Sequence, residues 1–353
     1  MNIRTFFLSV CLFLGLGSYG QVDLQRPLPA DPNTVVGKLP NGITYYIRHN
    51  EEPKDRASFY IIRNVGALLE NDDQNGLAHF LEHMAFNGTK NFPGKGIITT
   101  LEKYGVTFGG NINAYTAQNE TVYNISAVPA TDVRLLDTCL LILHDWSYYL
   151  TLDGDEIDAE RGVISEEWRT RRTPQFRLLA QTLPVLFKDS KYAERDVIGD
   201  LDIIKNFKHQ TIRDFYREWY RTDLEAIAVV GDFDVARMEQ RVKEIFSSIP
   251  TVENPKPRPF FEIPGHEEIY YCLATDKEVQ QSSVSITTMS PFFSANSSRF
   301  RSCLSMLASW LSRPPPVTLP SLGAHPGAGQ VTGPDSVPLS WKNRPVPPSS
   351  DTW

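Results

Sequence analysis

Residues 77–84 read Leu-Ala-His-Phe-Leu-Glu-His-Met, and the spacing inside this stretch decides what surrounds it. His79 and His83 are four positions apart. On a helix they share one face and can grip one metal ion from the same side. Glu82, one position before the second His, can reach a water held at that ion. The order is H-x-x-E-H, the reverse of the commoner H-E-x-x-H. Leu77, Phe80, Leu81 and Met84 supply an apolar stripe. Asn71, Asp72, Asp73 and Asn75 are capping candidates, and Asn87-Gly88 is a left-handed stop, so a helix is expected over 74–86. The plain alternative is two histidines that fall at this spacing by accident. Against it, a buried helix rarely carries two His and a Glu on one face without a partner.

Outward from this helix, strand and helix signals alternate. VVGKLPNGITYYIRH (35–49) holds Pro40-Asn41-Gly42 between apolar runs, a hairpin signal. ASFYIIRNVGALLE (57–70) continues the strand character. A short helix at 96–104 is ended by Gly105. TFGGNINAYTAQNETVYNISAV (107–128) is rich in Thr, Tyr, Val and Ile and reads as paired strands. Helices are expected at 131–149, where Val133, Leu136, Leu140, Leu143 and Trp146 form one stripe, and at 155–180. A helix pair over 200–220, a buried strand at 226–233 and a helix at 234–248 close the unit. PTVENPKPRP (250–259) marks a linker, taken as 251–265. A strand pair at 267–288 is expected to begin a second, truncated domain over 266–290.

The chain has 353 residues, enough for one large or two ordinary domains, with 41% hydrophobic and 22% charged residues, as in a globular protein. A net charge of −7 and the lack of a long basic patch argue against a nucleic-acid partner. Arg169, Arg171 and Arg172 read as the solvated face of a helix. At the N-terminus, Arg4 precedes an apolar run from Phe6 to Leu16 that is too short for a stable membrane span. Ser18-Tyr19-Gly20 follows as a cleavage site, so residues 1–20 read as a signal peptide and the bacterial periplasm as the destination. Export removes Cys11, and Cys139, Cys272 and Cys303 match no metal or redox spacing. Cys139, in LLDTCLLILHDW, reads as a buried small hydrophobe. Beyond Glu278 the only acids are Asp335 and Asp351, and ten of the 25 prolines fall in 313–353. Residues 291–353 are therefore expected to be a disordered or frameshifted tail.

A catalytic zinc site takes three protein ligands and keeps a fourth position open. The third-ligand candidates are Glu160, Glu166 and Glu167, on the 155–180 helix. Glu160 and Glu167 are seven apart, about two turns, and share a face. Glu166 points elsewhere and can pair with Arg169, three positions on.

HFLEHMAFNGT (79–89), NAYTAQNETVYNI (113–125), ERGVISEEWR (160–169) and WYRTDLEAIAVVGDF (219–233) together strongly resemble the pitrilysin/insulinase family of zinc metallopeptidases, which includes the mitochondrial processing peptidase. The resemblance covers about residues 30–290 and implies an α+β fold: a mixed or antiparallel sheet flanked by helices in a two-layer sandwich, followed by the start of a second similar domain. It implies a zinc-binding catalytic domain at 30–250, with His79 and His83 as ligands and Glu82 as general base. The E-R-x-x-x-x-x-E pattern maps onto Glu160-Arg161 and Glu167, making Glu167 the third zinc ligand and Glu160 its support. Asn113, Ala114 and Tyr115 resemble the edge strand on which substrate docks by backbone pairing. The implied activity is hydrolysis of peptide substrates by an exported endopeptidase. Family members resemble a closed chamber of two related halves, so a complementary half or partner subunit is expected. The competing readings are a catalytically incompetent peptide-binding subunit and a truncated fragment.

Overall fold

Gly42 turns the chain with φ +103°, a left-handed conformation open to glycine. It joins β1 (Thr34–Lys38) to β2 (Thr44–His49) as an antiparallel hairpin, Gly37 facing Tyr45. With β3 (Arg56–Arg63), β4 (Ile112–Thr116), β5 (Thr121–Pro129) and β6 (Glu225–Gly231) these strands form one six-stranded sheet of order β1-β2-β6-β3-β5-β4. Only β2 and β6 run parallel, so the sheet is mixed. The computed structural model describes residues 31–287, and these elements lie in its unit of residues 31–282. Residues 1–20, Cys11, Cys303 and the tail 291–353 lie outside the described residues.

Period-two alternation builds the core face of the sheet. Ile47, Val229, Phe59 and Ile125 stand opposite one another across four strands and are fully buried. Tyr45, Ile227, Ile61 and Tyr123 form the next row. The alternate residues of β3 and β6 on the opposite face, such as Tyr60 and Ala228, are only half-buried. The helices are α1 (Leu77–Met84), α2 (Gly96–Glu102), α3 (Val133–Tyr148), α4 (Gly154–Arg171), α5 (Pro174–Leu186), α6 (Leu201–Asn206), α7 (His209–Trp219) and α8 (Val235–Phe246). α3 packs on β3, α8 on β2 and α1 beside β4. The expected α+β class with a sheet flanked by helices is what the structure has. Cys139 is buried on α3, as its apolar neighbours require.

One polar pair sits inside this core. Arg63 and Glu225 face each other across β3 and β6, both buried, with Nη2 2.7 Å from Oε2. Arg63 also donates to the carbonyls of Trp146 and Ser147, and the Ser147 hydroxyl donates to Glu225, so the pair fastens the end of α3 to the sheet. Replacing Arg63 with Met strands the Glu225 carboxylate without a counter-charge. The expected loss is ~3–5 kcal/mol, or about 6–20 °C in Tm for a domain of this size. A thermal melt that matches wild type would show that the pair contributes no net stability.

Three expectations are corrected. The 155–180 helix is broken: Thr173 is extended because Pro174 follows it, and the Thr173 hydroxyl accepts from the Phe176 N–H to start α5 afresh. The 267–288 strand pair is absent, since residues 267–287 carry no strand in the described structure. Without a partner strand, their backbone groups have no ladder to join. The metal-motif helix is shorter than 74–86 and is not capped by Asp72, Asp73 or Asn75. Asn71 instead closes a capping box with Gln74 on a separate 3-10 turn.

Candidate metal centre

α1 starts where a side chain could not fit. Gly76 has φ +103°, and a Cβ there would lie 2.9 Å from Gly199 Cα and from the Ile198 carbonyl oxygen. The free N–H groups of this helix end are met by Glu70, whose buried carboxylate accepts from Gly76 N at 3.0 Å and Ala78 N at 2.8 Å. Lys191 in turn donates to the Glu70 carbonyl. The helix that carries the histidines is thus held at its first turn by a residue seven positions upstream.

His79 and His83 emerge on one face of α1, their rings edge to face with centroids 4.7 Å apart. α4 packs against α1 and delivers the carboxylates. Glu167 Oε2 lies 3.3 Å from His83 Nε2 and 3.6 Å from His79 Nε2. The donor atoms of His79, His83 and Glu167 all lie within 4.8 Å of one another. Glu160, two turns earlier on α4, takes the other His83 nitrogen, with Oε1 2.8 Å from Nδ1. Its second oxygen accepts from Asn87 at 2.6 Å, and Lys95 donates to the Asn87 amide oxygen. Glu166 points away and pairs with Arg169 on the surface.

Glu82 is buried on α1 and accepts from the Thr116 hydroxyl at 2.5 Å. Thr116 ends β4, the edge strand that also carries Asn113, Ala114 and Tyr115. Asn113 turns its amide toward the carbonyls of Ile112 and Gly109. Tyr115 donates to Glu120.

The protonation states follow from these neighbours. Burial, reinforced by the charge of His83, pulls His79 below the usual imidazole range. Burial works in the same direction on His83, but hydrogen bonds to Glu160 and Glu167 outweigh it and raise that pKa. Burial raises Glu82 against the opposing Thr116 hydrogen bond. The His83 hydrogen bond holds Glu167 low against burial. These neighbours favour a proton on His83, which lies between the Glu160 and Glu167 carboxylates.

Two imidazoles and a carboxylate are a donor set suited to zinc. His79 is 4% exposed, its Nδ1 has no partner among the described residues, and its Nε2 is turned toward Glu167. The residues present fit the ion.

Several residues of the site were not expected from the sequence. Thr116, Asn87, Lys95 and Glu70 touch it through tertiary contacts with no local signal. Arg171 had a signal, its i+4 spacing from Glu167, and its Nη2 lies 2.7 Å from Glu167 Oε1. The reading of Arg169, Arg171 and Arg172 as a solvated face holds for Arg169 and Arg171, whose side chains are exposed, and not for Arg172. Arg172 stacks over Trp168 at 4.0 Å and reaches Asp196.

Comparison with known proteins places this geometry. Residues 45–184 match the profile for insulinase (peptidase family M16), and residues 206–313 the profile for the peptidase M16 inactive domain. The probable zinc protease PqqL of Haemophilus influenzae is 40% identical over 228 residues, 65% of this chain and 24% of its own length. The probable zinc protease PqqL of Escherichia coli is 33% identical over 273 residues, 77% of this chain and 29% of its own. The crystal structure of the first half of the periplasmic protease PqqL from Escherichia coli superposes with TM-score 0.65 and 35% identity, over 70% of this chain and 52% of that one. The chain thus spans 24% and 29% of the two curated relatives. Two family profiles and a shared fold lead to one conclusion: the chain belongs to the insulinase/pitrilysin (M16) family of peptidases.

Proposed function

We propose that this chain is the metal-holding part of an exported zinc endopeptidase, with His79, His83 and Glu167 as ligands and Glu82 as general base. The observation that carries the reading is the convergence of two imidazole Nε2 atoms on a single oxygen of Glu167. Zinc at these donors would supply Lewis acidity toward a peptide carbonyl and toward water. Glu82 stands one helical position from His83, with one oxygen engaged by Thr116 and the other available for a proton. Burial raises its proton affinity toward the working range of a general base, so it can take a proton from attacking water and hand it to the leaving amine. Glu160 does not touch substrate in this scheme. It fixes the His83 ring through Nδ1, and Asn87 and Lys95 fix Glu160.

The substrate is a peptide in extended form. β4 is the edge strand beside Glu82, bridged by Phe108 at Ile112 but without a partner strand on its outer side over 113–115 among the described residues, and backbone pairing along Asn113, Ala114 and Tyr115 would seat a peptide of varied sequence. A periplasmic location fits the relative described as a periplasmic protease and the signal-like residues 1–20. No helix among the described residues is long and apolar enough to cross a membrane.

The test uses the full chain, alone and with a complementary half supplied as a separate protein. Uptake of about one zinc per chain is expected, together with hydrolysis of an unfolded peptide that a chelator abolishes and zinc restores. Zinc uptake without hydrolysis in either case would favour a peptide-binding subunit instead.

A further inference from the structure

We propose that Arg171 is a positioning residue that restricts Glu167 to a single ligand oxygen and so keeps one corner of the metal site open. The inference rests on the zinc reading above and adds a role for a residue that holds no metal itself. Glu167 presents two oxygens to two different partners. Oε2 faces the Nε2 atoms of His79 and His83, and Oε1 is taken by Arg171 Nη2 at 2.7 Å. A carboxylate free at both oxygens can chelate an ion with both, and in a three-residue site the second oxygen fills the position that catalysis needs vacant. A guanidinium on Oε1 opposes that swing.

The neighbouring pair on the same helix shows why this is more than an ordinary surface contact. Glu166 and Arg169 are also matched, but Glu166 is 60% exposed and both of its oxygens bond Arg169, whereas the exposed Arg171 meets a carboxylate that is mostly covered. Glu167 is only 23% exposed and sits between the imidazoles and Arg171. The direction of Arg171 is set by the end of α4. Arg172 turns the other way, over Trp168 and toward Asp196, and Pro174 ends the helix at once. Arg171 is left on the last turn with its side chain across Glu167, in the favourable order of acid before base at i and i+4.

Cobalt(II) is the probe, because its visible absorption is strong when four-coordinate and weak when the coordination number rises. The full chain loaded with cobalt is expected to show the strong band. Arg171→Met is expected to lose that band severalfold as Oε1 joins the metal, while Arg169→Met retains it. Arg171→Lys, which restores the charge on a shorter stem, is expected to recover part of the intensity, and far-UV circular dichroism checks that each variant is folded. Wild type and Arg171→Met giving the same strong band would overturn the clamp and leave the zinc reading standing. A folded wild type that takes up no cobalt would overturn both.

Discussion

Glu82→Gln is expected to lower peptide hydrolysis by ~10³-fold, within the range that one general acid–base group contributes. Gln has the shape of Glu, and its amide oxygen can still accept from the Thr116 hydroxyl that holds Glu82 at 2.5 Å. Both imidazoles and Glu167 are untouched, so zinc content should equal that of wild type. The change is confined to the ability to take a proton, and it should fall on kcat with KM nearly unchanged. Turnover and metal content are measured on the same preparation. Full turnover in a zinc-loaded Glu82→Gln protein would remove Glu82 from the reaction.

His79→Ala is expected to abolish stable metal binding, with zinc affinity falling by more than ~100-fold, the upper range for losing merely an outer partner of a ligand. His79 has no other bond to lose, because its Nδ1 is buried without a partner. Its whole polar contribution is therefore at Nε2. The remaining ion pair, His83 and Glu167 at 3.3 Å, would close further once the second imidazole is gone. That closure should be visible as a folded, metal-free protein: normal circular dichroism and no zinc after dialysis. Retention of one equivalent of zinc by the variant would place the metal elsewhere.

The residues of the site differ in how far they could be read in advance. His79, Glu82 and His83 lie within one and a half turns of a single helix, and helical periodicity alone put them on one face. Glu160 and Glu167 share a face by the same arithmetic and Glu166 points away from it, but spacing did not choose between Glu160 and Glu167 as the ligand. The resemblance to the family singled out Glu167. In the structure α4 turns both Glu160 and Glu167 toward α1, one to His83 Nδ1 and the other to both Nε2 atoms. The hairpin at Gly42 and the β4–β5 pair were legible because turn chemistry and β-branched runs act over a few residues.

The failures have a common cause. The helix expected over 155–180 runs through Pro174, whose ring bars the helical conformation at Thr173, so the chain forms two helices there. The strand pair expected at 267–288 is not formed over residues 267–287, because a strand exists only where another supplies its hydrogen bonds.

The sequence by itself determined the local geometry: which residues share a helix face and where a hairpin turns. Covalent connection and short-range sterics act there, and they do not depend on the rest of the chain. Tertiary structure decided which faces meet. It brought α4 onto α1, set Thr116 on Glu82, put Glu70 under the first turn of α1 and drew Arg171 onto the free oxygen of Glu167. Those contacts join residues that only the packing of the helices on a six-stranded sheet makes neighbours.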